Sequence, residues 1–122
     1  MRYILIAFGG ALGAVTRVFT SELITSKISS SSFIPLGILS VNLLGCFFLG
    51  IVLNTLLFKQ FEFYQSFFML GFLGAFTTFS AFSRETLDLI SQGLWASAIS
   101  YILISAIGCL FATWLGLQLS AK

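Results

Sequence analysis

Four long runs of the chain, at about residues 3–25, 33–58, 63–92 and 94–120, carry almost no charge. Each is as long as the roughly 20 apolar residues an α-helix needs to cross the hydrocarbon core of a bilayer. Lipid offers the backbone no hydrogen-bond partner, so a spanning segment must be a helix or a strand of a closed barrel. Barrel strands would alternate polar and apolar positions over about ten residues, and no such alternation is visible. Composition agrees. The 122 residues are 58% hydrophobic and 8% charged, where a soluble domain has about 25% charged residues. So few charges cannot cover the surface of a water-soluble domain. The expected fold is all-α, a single transmembrane domain of four helices over residues 1–122, in a multi-pass membrane protein.

The connections are short. Ser26 to Ser32 reads as a Ser-rich loop, Lys59 to Glu62 as a tight charged turn, and Gly93 as the last reversal. Met1-Arg2 before an apolar run resembles a secretory signal, with Ala11-Leu12-Gly13-Ala14 as a loose cleavage site. Cleavage would discard Gly9, Gly10 and Gly13, which look like packing residues, so this run is expected to stay as the first helix. Cys46 and Cys109 fall inside spans and read as small buried apolar residues. There is no His and the net charge is +2. Neither a zinc or iron–sulfur ligand set nor a basic surface for nucleic acid is present. An enzyme is not expected, because no base stands ready to activate Ser or Cys.

Charge placement bears on topology. Four spans put Arg2, Lys59 and Lys122 on one side, with Lys27, Arg17 and Arg84 towards the other. Equal counts give the positive-inside rule nothing to act on. Two readings fit: some other factor orients the chain, or it inserts both ways and pairs with an inverted copy. A bundle of four helices has little interior, so an interface between two copies is the roomier place for a solute path.

Small residues mark close helix approach. Gly9 and Gly13 form a G-x-x-x-G with Gly10 beside them; Gly108, Ala112 and Gly116 repeat at four-residue spacing; Gly37, Gly45 and Gly50 thin the second helix. In lipid, such stripes permit van der Waals contact between backbones.

Polar residues inside the spans are the functional candidates. The third run holds Gly71-Phe72-Leu73-Gly74-Ala75-Phe76-Thr77-Thr78-Phe79-Ser80-Ala81-Phe82-Ser83-Arg84-Glu85. Gly and hydroxyl residues together suit a helix that breaks and exposes carbonyls to a hard cation. They equally suit an unbroken helix whose hydroxyls bond back one turn. Phe79 and Phe82 share a helix face, and Ser80 and Ser83 an adjacent one. Ring edges are electropositive and can meet an anion without the grip of a cationic side chain, and weak binding suits conduction. Asn42, alone in an apolar helix, is either interhelical glue or a pore donor whose NH2 suits a dehydrated anion. Tyr101 and Ser105, one turn apart, either extend the polar track or, in the case of Tyr101, anchor the helix at the membrane interface. Arg17, with Glu22 five residues on, snorkels towards a mouth and favours anions there. Arg84 has Glu85 and Asp88 as possible local partners.

Three blocks of this sequence together resemble the Fluc/CrcB family of fluoride channels. They are Gly9 to Arg17, Gly37 to Gly50 with Asn42 central, and Gly71 to Glu85 with its Thr-Thr-Phe-Ser and second Phe. The resemblance implies an antiparallel, dual-topology homodimer whose third helix is broken near its middle, in the bacterial inner membrane. It implies passive export of fluoride, limiting fluoride toxicity. Phe79 and Phe82 match the phenylalanines lining the fluoride path and Asn42 the pore Asn, with Ser80, Tyr101 and Ser105 as further pore positions. Gly74 and Thr77 match positions whose backbone carbonyls hold a structural sodium ion between the two copies. Arg17 and Glu85 match vestibule charges. Ala75 and Ala81 depart from the family's frequent Gly and Thr. The rivals are a small dual-topology multidrug transporter, which needs a mid-membrane carboxylate, and an accessory membrane subunit without flux of its own.

Overall fold

The structure is a computed structural model that describes residues 1–28, 34–55 and 59–121. Most of the expected Ser-rich loop, the expected ends of the second helix at Phe33 and Phe58, and Lys122 lie outside the described residues.

Four helical spans are long and apolar enough to cross a membrane. Helix α1 is Arg2–Ile28 and α2 is Leu36–Asn54. The third span, Glu62–Ser91, is divided. Its first arm, α3 (residues 62–76), opens with an α-helical turn at Glu62–Tyr64, widens into a π-helix at Gln65–Leu73, and closes on Gly74–Phe76. The second arm, α4, is Phe79–Ser91, and α5 is Trp95–Ser120.

Glycines decide which helices touch. A β-carbon on Gly9 would collide with the carbonyl of Phe67, and one on Gly13 with that of Phe72. The G-x-x-x-G of α1 is therefore the groove against which the π-helical arm lies backbone to backbone. Between α2 and α5, a β-carbon on Gly50 would strike the Thr113 carbonyl, one on Gly116 the Phe47 carbonyl, and one on Gly108 the Leu43 side chain. Leu43, early in α2, meets Gly108, and Phe47 and Gly50, later in α2, meet the later Gly116 and Thr113, so α2 and α5 run parallel. Near the other end of α2, Gly37 admits Ser21 and Thr25 of α1. α1 and α2 thus pack as neighbouring antiparallel helices.

The turn between α4 and α5 is closed by geometry that favours glycine. Gly93 has φ 77°; its N–H bonds to Ile90 O and the Leu94 N–H to Leu89 O, both at 2.9 Å. This pair of bonds ends a helix on a left-handed residue. Beside it, Leu39, Leu89, Ala98 and Tyr101 form a small buried cluster. Ile38, Val41, Val52, Leu73 and Phe76 are buried as well, while many other apolar side chains point outward, among them Ile4, Phe8, Leu12 and Val15 on α1 and Ile107, Leu110 and Phe111 on α5. Such faces suit lipid as solvent.

Candidate functional site

The third span breaks where Thr77 and Thr78 follow Gly74. Both threonines are extended, Thr77 at φ −77°, ψ 150° and Thr78 at φ −149°, ψ 122°. Of the two arrangements the sequence allowed, the chain takes the broken one. Thr78 is the N-cap of α4, its Oγ1 accepting the Ala81 N–H at 3.3 Å. Thr is among the residues suited to that place. On the other side of the break, Thr77 N–H and Oγ1 both donate to Leu73 O, at 3.1 and 3.0 Å.

Asn42 of α2 holds the gap open. Its Oδ1 accepts the Thr78 N–H at 2.8 Å, and its Nδ2 donates to the Thr78 carbonyl at 3.1 Å. The amide replaces, from another helix, the backbone partners that Thr78 gives up in leaving the helix. Asn42 is therefore interhelical glue, and one of its two N–H groups is left over from that task. The break has a further consequence. In a continuous helix Thr78 N–H would donate to Gly74 O, and Ala81 N–H to Thr77 O. Those donors are instead turned to Asn42 and to the Thr78 hydroxyl, so the carbonyls of Gly74 and Thr77 lose their helical partners.

A cleft of about 590 Å³ lies against the break, lined by Asn42, Gly74, Thr77, Phe79, Phe82 and Ser105 among others. Phe79 and Phe82 ring centroids are 5.4 Å apart, and Phe82 lies 5.1 Å from the Tyr101 ring. Phe82 leans on the buried cluster, whereas Phe79 is 78% exposed on the single chain. Ser105 is buried, with no hydrogen-bond partner for its Oγ.

Tyr101, expected in the polar track, is fully buried and does not line this cleft. Its hydroxyl donates to Glu85 Oε2 at 2.6 Å, so it reaches the candidate site through Glu85 and through its ring contact with Phe82. Arg84 approaches Asp88 rather than Glu85, with Nε 4.0 Å from Oδ2. Ser83 donates to Phe79 O at 2.9 Å and is spent on its own helix. Ser80 instead joins Arg17, Glu22, Arg84 and Glu85 around a second, more polar cleft of about 610 Å³. There the Arg17 Nε is buried without a partner. The two charges matched to vestibules thus face one opening, and Ser80 lies on its rim.

Three residues at the site, Thr78, Cys46 and Cys109, were not singled out as site residues by the sequence reading. Thr78 was hidden because its clamp, Asn42, lies 36 positions away; the available clue was a Thr directly before the helical Phe79 to Ser91 stretch. Cys46 and Cys109, separate in sequence, line the same cleft.

Comparison with known proteins agrees with this architecture. Residues 4–117 match the family model described as CrcB-like protein, Camphor Resistance (CrcB). A protein of Shewanella frigidimarina named fluoride-specific ion channel FluC is 45% identical over 118 residues, covering 95% of this chain and 93% of that one. A Methanocaldococcus jannaschii protein of the same name is 41% identical over 114 residues, covering 93% and 89%. One from Nautilia profundicola is 37% identical over 115 residues, covering 93% and 88%. A four-span helical fold broken at Thr77-Thr78, and a family match over nearly all its length, make this chain an integral membrane protein of the CrcB family.

Proposed function

We propose that the protein is a fluoride-selective channel, letting the anion leave the cytoplasm down its electrochemical gradient across the cell's inner membrane. The observation that carries the reading is the cleft at the break, where an amide, an unpartnered hydroxyl and two phenyl rings converge without a charged group. A dehydrated fluoride needs donors to replace lost water, yet must not be held tightly. The spare Asn42 N–H, the Ser105 hydroxyl and the electropositive edges of Phe79 and Phe82 meet both demands. Arg17 raises the anion concentration at the mouth formed with Glu85 and Ser80. Tyr101 takes part by holding Glu85 and bracing Phe82.

The working unit in this proposal is a homodimer of oppositely inserted copies. On one chain Phe79 is exposed and the cleft is open to the outside, and an inverted second copy would wall it, which supports this reading. Gly74 and Thr77 would hold a sodium ion at that junction. The fit rests on their two carbonyls having lost helical donors, since carbonyl oxygens are the ligands a hard cation takes. Bound sodium would supply a fixed positive charge and a tie between copies; the chain's own part is to present the carbonyls and keep Thr78 clamped.

The test is ion efflux from liposomes holding the purified protein. Fluoride efflux far above chloride efflux is expected, and equal fluxes or none would defeat the proposal.

A further inference from the structure

We infer that Cys46 and Cys109 together form a two-coordinate site for a thiophilic cation, of the Cu+, Ag+ or Hg2+ class, in the wall of the central cleft. The parallel seam of α2 and α5 sets their positions. Leu43 lies under Gly108, and Gly50 under Thr113. The offset that pairs Gly50 with Thr113 also pairs Cys46 with Cys109. Both cysteines are free and half-buried, and both line the cleft. Ser105, one turn before Cys109, adds a buried hydroxyl with no partner on the same wall.

Sulfur ligands select soft metals, while sodium, magnesium and calcium prefer oxygen. Two thiols suffice for a linear d10 ion, where zinc would ask for four ligands, and no cluster of three or more His, Cys, Asp or Glu exists among the described residues. Binding exchanges protons for metal: two Cys–SH and one Hg2+ give Cys–S–Hg–S–Cys and two H+ released to solvent. The product is neutral, which suits an apolar wall that would penalise a net charge. Cu+ or Ag+ would leave one negative charge there, so Hg2+ is the best match within the class. An ion at this point stands beside Asn42 and Phe82. Its effect on transport, an obstructed track, rests on the channel reading above; its binding does not.

Mercuric chloride is the probe, added to the purified detergent-solubilised chain, followed by desalting in excess monothiol. One mercury per chain should remain bound, with both thiols lost to a thiol reagent. Two per chain would mean independent cysteines and overturn the site, a result that needs no variant. Cys46→Ser and Cys109→Ser should each weaken retention at least about 100-fold, because the second thiolate acts at high effective concentration. Retention equal to the unmodified chain in either would also overturn it. In liposomes, mercury should suppress fluoride efflux by the unmodified protein and spare both variants. Bound mercury with undiminished efflux would remove the site from the cleft wall. A chain that binds one mercury but never passes fluoride would refute the channel reading alone.

Discussion

At the scale of single residues, the site turns on an exchange of backbone partners. Thr78 leaves the helix, and Asn42 supplies both the acceptor and the donor it then needs, at 2.8 and 3.1 Å. Asn42→Leu removes both and leaves a part-buried N–H and C=O unpaired, at about 1–3 kcal/mol for each group. A drop in the melting temperature of the solubilised protein and loss of fluoride efflux are expected together. Equal melting for Asn42→Leu and the unmodified chain would show the clamp to be idle. The two phenylalanines separate differently. Phe82 packs on Tyr101 and the buried cluster, so Phe82→Ile should lower both stability and efflux. Phe79 is 78% exposed on one chain, so Phe79→Ile should reduce efflux with little change in the fold of that chain. Undiminished efflux in both variants would remove the ring-edge contribution.

At the scale of elements, the α1 and α3 contact gives a sharp contrast between adjacent glycines. A β-carbon on Gly9 or Gly13 runs into a backbone carbonyl, whereas one on Gly10 finds no heavy atom nearer than 3.9 Å. Gly9→Ala and Gly13→Ala should each cost about 1–3 kcal/mol through overpacking, and Gly10→Ala should be tolerated; thermal unfolding of the three proteins checks this. The same contrast shows what the sequence could and could not tell. Spans, the Gly93 reversal and the glycine stripes were legible because length, apolarity and small size act locally. The partners of the stripes were not, since a glycine reports that something comes close without saying what. The π-helix at Gln65–Leu73 left no trace because it lies in a run that is apolar on almost every side, so a changed period has no polar face to displace. The break was half legible. Gly74, Thr77 and Thr78 permitted it, but the choice over a continuous helix is made by Asn42, from another helix. The partner of Tyr101 was hidden for a related reason: its hydroxyl was read as extending a polar track, and the Glu85 carboxylate, 16 positions earlier, is what it bonds.

At the scale of the whole molecule, the helix order puts Arg2 and Lys59 at one end of the bundle and Lys27 and the Gly93 turn at the other. By sequence Lys122 joins the first group and Arg17 and Arg84 lie towards the second, so neither end has a surplus of positive charge and orientation is open to small additions. Gln60 and Gln92 are exposed and lie at opposite ends; Gln92 follows the last turn of α4, where a cation also meets the favourable end of the helix dipole. Gln60→Lys should therefore favour retention of the Arg2 end in the cytoplasm, and Gln92→Lys retention of the Lys27 end. Reporter fusions at the C-terminus would read the bias. If the cleft around Phe79 is walled by an inverted copy, each biased variant expressed alone lacks partners of the opposite orientation and should lose most fluoride efflux. Expressed together, the two variants supply both orientations, and efflux should return. A strongly biased variant that conducts at full rate alone would mean that one orientation completes the path, leaving the exposed faces of α1 and α5 to lipid.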